Sequence, residues 1–169
     1  MVLQANTISK KMEVRKNILL HHIHRNGEIG RLELGRNLGM SKSRLCEVIL
    51  EMIDEGLILE SLSGTERRGR SPVPLSANPD HGCFVGLDFE ANRMRIAVVD
   101  FSGQTLLRRH KELRPMKDRK KLINHLLSFI DEGLETVRDM GAKILGVGIA
   151  APGVINQTAG TLVHYDFIE

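Results

Sequence analysis

The chain has 169 residues, with 24 Lys and Arg against 21 Asp and Glu, a formal net charge of +3, 41% hydrophobic residues and 4% aromatics. That length holds one ordinary domain or two small ones, and the composition suits a soluble, aliphatic-cored protein. No stretch reaches the roughly 20 apolar residues of a membrane span, and the amino terminus lacks the charged-then-apolar pattern of a signal peptide, so no membrane partner and a cytoplasmic location are expected. Cys46 and Cys83 are too few and too far apart for a disulfide framework and are read as reduced thiols. The mild net charge is not by itself diagnostic of nucleic-acid binding; local placement of the basic residues carries more.

A first helix is expected over residues 12–25, with Val14, Ile18 and His22 in one row, Leu19 and Ile23 in another, and Asn26-Gly27 as its stop. His21, His22 and His24 invite a metal reading. Neighbouring positions on a helix point in different directions and no cysteine or carboxylate cluster accompanies them, so no metal site is assigned.

The run from Arg31 to Ile58 reads as two short helices around a tight turn, followed by a strand. Leu45, Val48, Ile49, Met52 and Ile53 recur at helical spacing and need a partner, which Leu32, Leu34 and Leu38 of the preceding helix supply. Gly39 can take the backbone through the turn, Ser41 is a natural N-cap, and Gly56 stops the second helix. This order is that of a winged helix-turn-helix, in which the front of the second helix enters the major groove. Ser41, Lys42, Ser43 and Arg44 occupy that front, with Glu47 one turn further in; Glu51, Asp54 and Glu55 at the rear would repel a polyanion. Residues 57–59 read as a strand, SGTERRGRS as a turn carrying Arg67, Arg68 and Arg70, and residues 72–75 as a return segment limited by two prolines. Together these make a basic-tipped wing, and double-stranded operator DNA is the expected partner.

The proline- and glycine-rich stretch 69–82 marks a boundary, giving a DNA-binding domain over 1–77 and a second domain over 78–169. Strands are expected over 84–89, 94–100 and 104–109, with Ser102-Gly103 as a hairpin turn. A helix over 120–140 buries Leu122, Ile123, Leu126, Leu127, Ile130, Leu134 and Val137, and the apolar strand 144–150 fits a sheet covered on both faces. The order of three strands, a helix and a strand begins an α/β layer fold.

GRSPVPLSANP, FVGLDFEANRMRIAVVDFSG and ILGVGIAAPGVINQTAG, behind a winged module, give the chain a resemblance to the ROK family, which groups sugar-responsive repressors with sugar kinases on an actin-like, ribonuclease H-like fold. The resemblance covers nearly the whole chain, and the DNA-binding module points to the repressor branch. It implies an α/β protein with an N-terminal winged helix-turn-helix and the start of an actin-like lobe, acting as a repressor of carbohydrate-metabolism genes. The family's kinases carry a glycine-rich phosphate loop after the first strand, where this chain reads Asp88, Phe89, Glu90, Ala91, Asn92, Arg93. The glycines are lost and Glu90 adds negative charge, so phosphoryl transfer, catalytic residues and a cofactor are not expected; Asp88 is read as capping a turn. Gly153, Asn156 and Gly160 match the loop near the family's sugar pocket, as one wall of it or as a plain turn. Relatives continue for a further couple of hundred residues, so the catalytic aspartate, zinc motif and dimerising helices of the family are not expected here. A sugar effector and homo-oligomerisation are implied for a completed member. A sugar kinase relative and a non-functional remnant stand as alternatives.

Overall fold

The computed structural model describes residues 2–60, 73–114 and 118–164, with side chains from Lys10 onward. The chain forms two compact units, Met1–His81 and Gly82–Glu169.

The first unit runs α1 (Val2–Asn26), β1 (Ile29–Gly30), α2 (Arg31–Leu38), α3 (Lys42–Asp54), β2 (Ile58–Glu60) and β3 (Pro74–Ala77). Its core is Leu19 and Ile23 of α1, Ile29, Leu34 of α2, the α3 stripe Leu45, Val48, Ile49 and Met52, and Ile58 and Leu75 of the sheet. A buried aliphatic side chain contributes about 1.5–3 kcal/mol, so this cluster is what folds the unit. The α3 stripe lies as its spacing predicts, with Ile53 at its margin. Which row of α1 packs inward is settled here, and two other expectations are corrected. Val14 and Ile18 are exposed, and the buried row of α1 is Lys16, Leu19 and Ile23, with Met12 partly buried beside it. Leu32 is 61% exposed, because α2 turns Leu34 and Leu38 toward α3 instead. α1 starts ten residues before the expected position 12, at Val2.

The segment taken as a linker also holds structure. β3 is the central strand of an antiparallel sheet in the order β1-β3-β2, with Ile29 opposite Leu75 and Ile58 opposite Ala77. Pro74 is its first residue, a position where the missing N–H does least harm to a ladder. Asn78 then ties the exit of β3 to the start of β2: its N–H donates to Leu57 O at 3.0 Å and its Nδ2 to Gly56 O at 2.8 Å.

The second unit runs β4 (Cys83–Phe89), β5 (Arg93–Asp100), β6 (Thr105–Glu112), α4 (Arg119–Asp139), β7 (Ile144–Ala150), β8 (Val154–Asn156) and β9 (Thr161–His164). The sheet order is β6-β5-β4-β7, antiparallel through the first three strands and parallel between β4 and β7. Alternation puts Val85, Leu87, Phe89, Met94, Ile96 and Val98 on one face, where Leu122, Phe129 and Val137 of α4 cover them. At Gly133 a Cβ would overlap Ile96 Cδ1, so the missing side chain lets α4 lie close to β5. Asp118 caps α4 by accepting from Lys120 N at 2.9 Å and Lys121 N at 3.2 Å. Asp100 Oδ1 likewise holds the β5–β6 turn, accepting from Ser102 N, Ser102 Oγ and Gln104 N.

Two expectations fail in this unit. Ile123 and Leu127 are exposed, because α4 meets the sheet through its Leu122, Phe129, Gly133 and Val137 side. β7 is an edge strand with Val147 and Ile149 about half exposed, because α4 packs mainly on β5 and β4 and only Ile144 of β7 joins the core beneath it.

Candidate nucleic-acid interface

The turn between α2 and α3 is built from glycine and backbone hydrogen bonds. Gly39 sits in the left-handed region at φ +60° and ψ 26°; its N–H donates to Arg36 O at 3.3 Å and the Met40 N–H to Gly35 O at 3.1 Å. These are the two bonds of a Schellman cap, which satisfies the last carbonyls of α2 and redirects the chain at once. Gly35 lets the helices approach, since a Cβ there would stand 3.0 Å from Leu45 Cδ2. Ser41 holds the N-cap position with extended backbone and its carbonyl accepts from Leu45 N at 3.0 Å, but its side chain makes no cap bond, which corrects the capping role expected of it.

With Leu45, Val48, Ile49 and Met52 turned inward, the front of α3 presents Ser41, Lys42, Ser43 and Arg44 to solvent, and Glu47 follows on the exposed side. None of Lys42, Arg44 or Glu47 enters an ion pair among the described residues. Two exposed cations and two hydroxyls on one helix end are the kind of groups that contact phosphates and base edges. Arg36 on the last turn of α2 is also exposed and was not singled out by the sequence reading. Arg67, Arg68 and Arg70 lie outside the described residues. The strands that flank their segment, β2 and β3, pair antiparallel with Glu60 opposite Leu75. At the base of that connection Arg31, the first residue of α2, donates to the Glu60 carboxylate.

The rear of α3 differs from the expectation of a bare acidic patch. Glu51 and Glu55 converge on the buried Lys16 of α1, at 3.0 and 2.6 Å, with Glu13 at 3.5 Å. Burial alone would depress the Lys16 ammonium; the Glu55 and Glu51 carboxylates overcome it and hold the group above the ordinary lysine value. The signal was present in the sequence as a lysine inside an apolar row of α1 and an i, i+4 pair of glutamates on α3.

In the second unit, the end of β4 and the start of β5 hold an ion-pair network. Glu90 accepts from Arg93 Nε and Nη2, both at 2.9 Å, and from Arg95 Nη2 at 2.6 Å. Asp88 accepts from Arg95 Nε at 2.7 Å across the β4–β5 ladder, where the two residues are directly opposed, so it pairs between strands and does not cap a turn. The Arg93 guanidinium holds the Glu90 carboxyl below the usual range. Gly153, Asn156 and Gly160 belong to the β8–β9 hairpin; Asn156 Oδ1 accepts from Ala159 N at 3.0 Å within its turn, and Gly153 and Gly160 have positive φ. An open concavity of about 650 Å³ on the face of the sheet away from α4 is lined by Gly86, Asp88, Arg95, Ala97, Arg108 and Gly148 among others, and by none of those three. Among the described residues no His, Cys, Asp or Glu group is placed to hold a metal ion, and no helix is long and apolar enough to cross a membrane.

No family model matches the chain. It is 27% identical to the xylose repressor of Caldicellulosiruptor bescii over 89% of its own length, and 27% identical to the xylose repressor of Bacillus subtilis over 86%. A solved ROK family transcriptional regulator, a homologue of the E. coli MLC protein, superposes with a TM-score of 0.68 at 21% identity over 93% of the chain and shows the same fold. The chain spans 38% of the length of those two repressors and 40% of that solved chain.

Proposed function

We propose that this chain, which resembles the ROK family regulators along most of its length, is the operator-binding part of a transcriptional repressor of carbohydrate-metabolism genes. The first unit serves as a winged helix-turn-helix. The carrying observation is α3 itself: one face locked into the core, the front end of the other face basic, exposed and without an ion pair among the described residues. In this reading Ser41, Lys42, Ser43 and Arg44 contact phosphates and base edges in the major groove, Glu47 reads an exocyclic amine, and Arg67, Arg68 and Arg70 neutralise phosphates beside it. The relatives named xylose repressors support a repressor role and make a pentose the first effector to test. Gly153, Asn156 and Gly160 would form one wall of the effector site, and two copies of the protein would present two helices to a two-fold operator.

The kinase alternative has no observation in its favour, since Asp88 and Glu90 are held by arginines where ATP phosphates would lie. A gel-shift of the chain against its own upstream region, at two salt concentrations, tests the proposal. Retardation that weakens with salt and resists unrelated competitor DNA supports it. A folded chain that retards nothing refutes it.

A further inference from the structure

Lys16 is the one charged side chain in the buried row of α1, only 7% exposed, yet it holds an ammonium. A buried charge persists only when its donors are met, and here the three acceptors are Glu55 Oε1 at 2.6 Å, Glu51 Oε2 at 3.0 Å and Glu13 Oε1 at 3.5 Å. Two of the three belong to the last turn of α3 and its C-cap, and both carboxylates are about half exposed. The ammonium therefore reaches from the core to the rim and clamps the rear of α3 against α1. At about 1.5 Å per residue that clamp lies roughly 13–20 Å behind Lys42, so a small change of tilt at the rear moves the front of the helix by ångströms.

We infer that Lys16 is a positioning residue for the recognition helix, fixing the angle at which α3 presents Lys42–Arg44 and cancelling the two rear carboxylates that would repel DNA phosphates. The inference rests on the reading of α3 as the DNA-contacting helix. It separates two effects. Cancelling charge acts on affinity for any duplex, whereas fixing an angle acts on discrimination between duplexes.

The test uses the whole chain, a duplex that the wild type selects from a random library, and an unselected duplex of equal length, with binding followed by fluorescence anisotropy and folding by thermal melting. Lys16→Met keeps the aliphatic stem and removes the ammonium. It is expected to bind the unselected duplex several-fold more weakly and to lower the selected-to-unselected ratio about tenfold. Adding Glu51→Gln and Glu55→Gln is expected to restore affinity for the unselected duplex but leave the ratio low. Should Lys16→Met not fold, Glu51→Ala/Glu55→Ala decides: non-specific affinity rises while the ratio falls, two changes of opposite sign that a loss of folded protein cannot produce. Folded variants that keep the wild-type ratio overturn the positioning role alone. A wild type that selects no duplex overturns the DNA-binding reading, and this inference with it.

Discussion

Replacing Gly39 by alanine isolates the backbone contribution of the helix-to-helix turn. A Cβ at Gly39 would meet nothing within 4 Å, so no packing term enters. The cost is that of holding an L-residue at φ +60°. That conformation costs roughly 1–2 kcal/mol, and the stiffer unfolded chain of the alanine variant returns about 0.4–1 kcal/mol, leaving a net loss near 1 kcal/mol. For a unit of this size such a loss lowers the melting temperature by roughly 4–8 °C. Asparagine tolerates the left-handed region, and Gly39→Asn should lose about half as much. Calorimetry of the whole chain measures both, with wild-type affinity for the selected duplex expected in the folded variants because the Schellman bonds remain available. A Gly39→Ala chain as stable as wild type would mean that the turn does not hold the left-handed residue. A loss above about 3 kcal/mol would mean that side-chain packing decides at this position, against the open space around it.

Arg44→Ala should weaken binding to the selected duplex by roughly 1–3 kcal/mol while the unselected duplex is little affected, and alanine at Arg67, Arg68 and Arg70 together should flatten the salt dependence by about two to three units of log–log slope; unchanged titrations would remove these residues from the interface. Cys83 is buried, and burial pushes its thiol up, whereas Cys46 is partly open; Ellman's reagent should label Cys46 alone in the native chain and both cysteines in denaturant. Rapid native labelling of Cys83 would contradict the packing of β4. Because Arg93 holds the Glu90 carboxyl below its usual range, whatever stability this pairing contributes is present above the ordinary carboxylate value and lost as pH falls through the depressed one. Glu90→Gln should therefore make the urea midpoint less sensitive to acidification between pH 7 and pH 3, by a small amount suited to an exposed pair, and an identical pH dependence would count against the network.

What the sequence disclosed follows from how far each feature reaches along the chain. Gly39, Gly56 and the stripe Leu45, Val48, Ile49, Met52 were legible because a helix end and a helical period are local properties, settled within one or two turns. Spacing says that a row exists but not which of two neighbouring rows meets a partner. On α1 Val14 and Ile18 form as regular a row as Leu19 and Ile23, and only packing against α3 and the small sheet buries the second and exposes the first. Ile123 and Leu127 fail on α4 for the same reason. β1 has two residues, too few for any period, and exists because Leu75 and Pro74 pair with it.

The charged residues mark a further limit. Lys16 and Glu55 stand 39 positions apart, and their contact exists only once α1 has crossed α3; the sequence shows an acidic rear end on the helix, and the fold supplies its counter-charge from another element. Asp88 and Arg95 are closer in the chain, and their pairing follows from register: if Phe89 lies opposite Met94, then Asp88 must lie opposite Arg95 on the other face. The alternation that buries Leu87 and Ile96 under α4 is therefore the same one that sets these two charges side by side. Strand pairing sets Asp88 against Arg95, and the turn between the strands sets Glu90 against Arg93. That is why the carboxylates of Asp88 and Glu90 and the guanidinium of Arg95 satisfy one another.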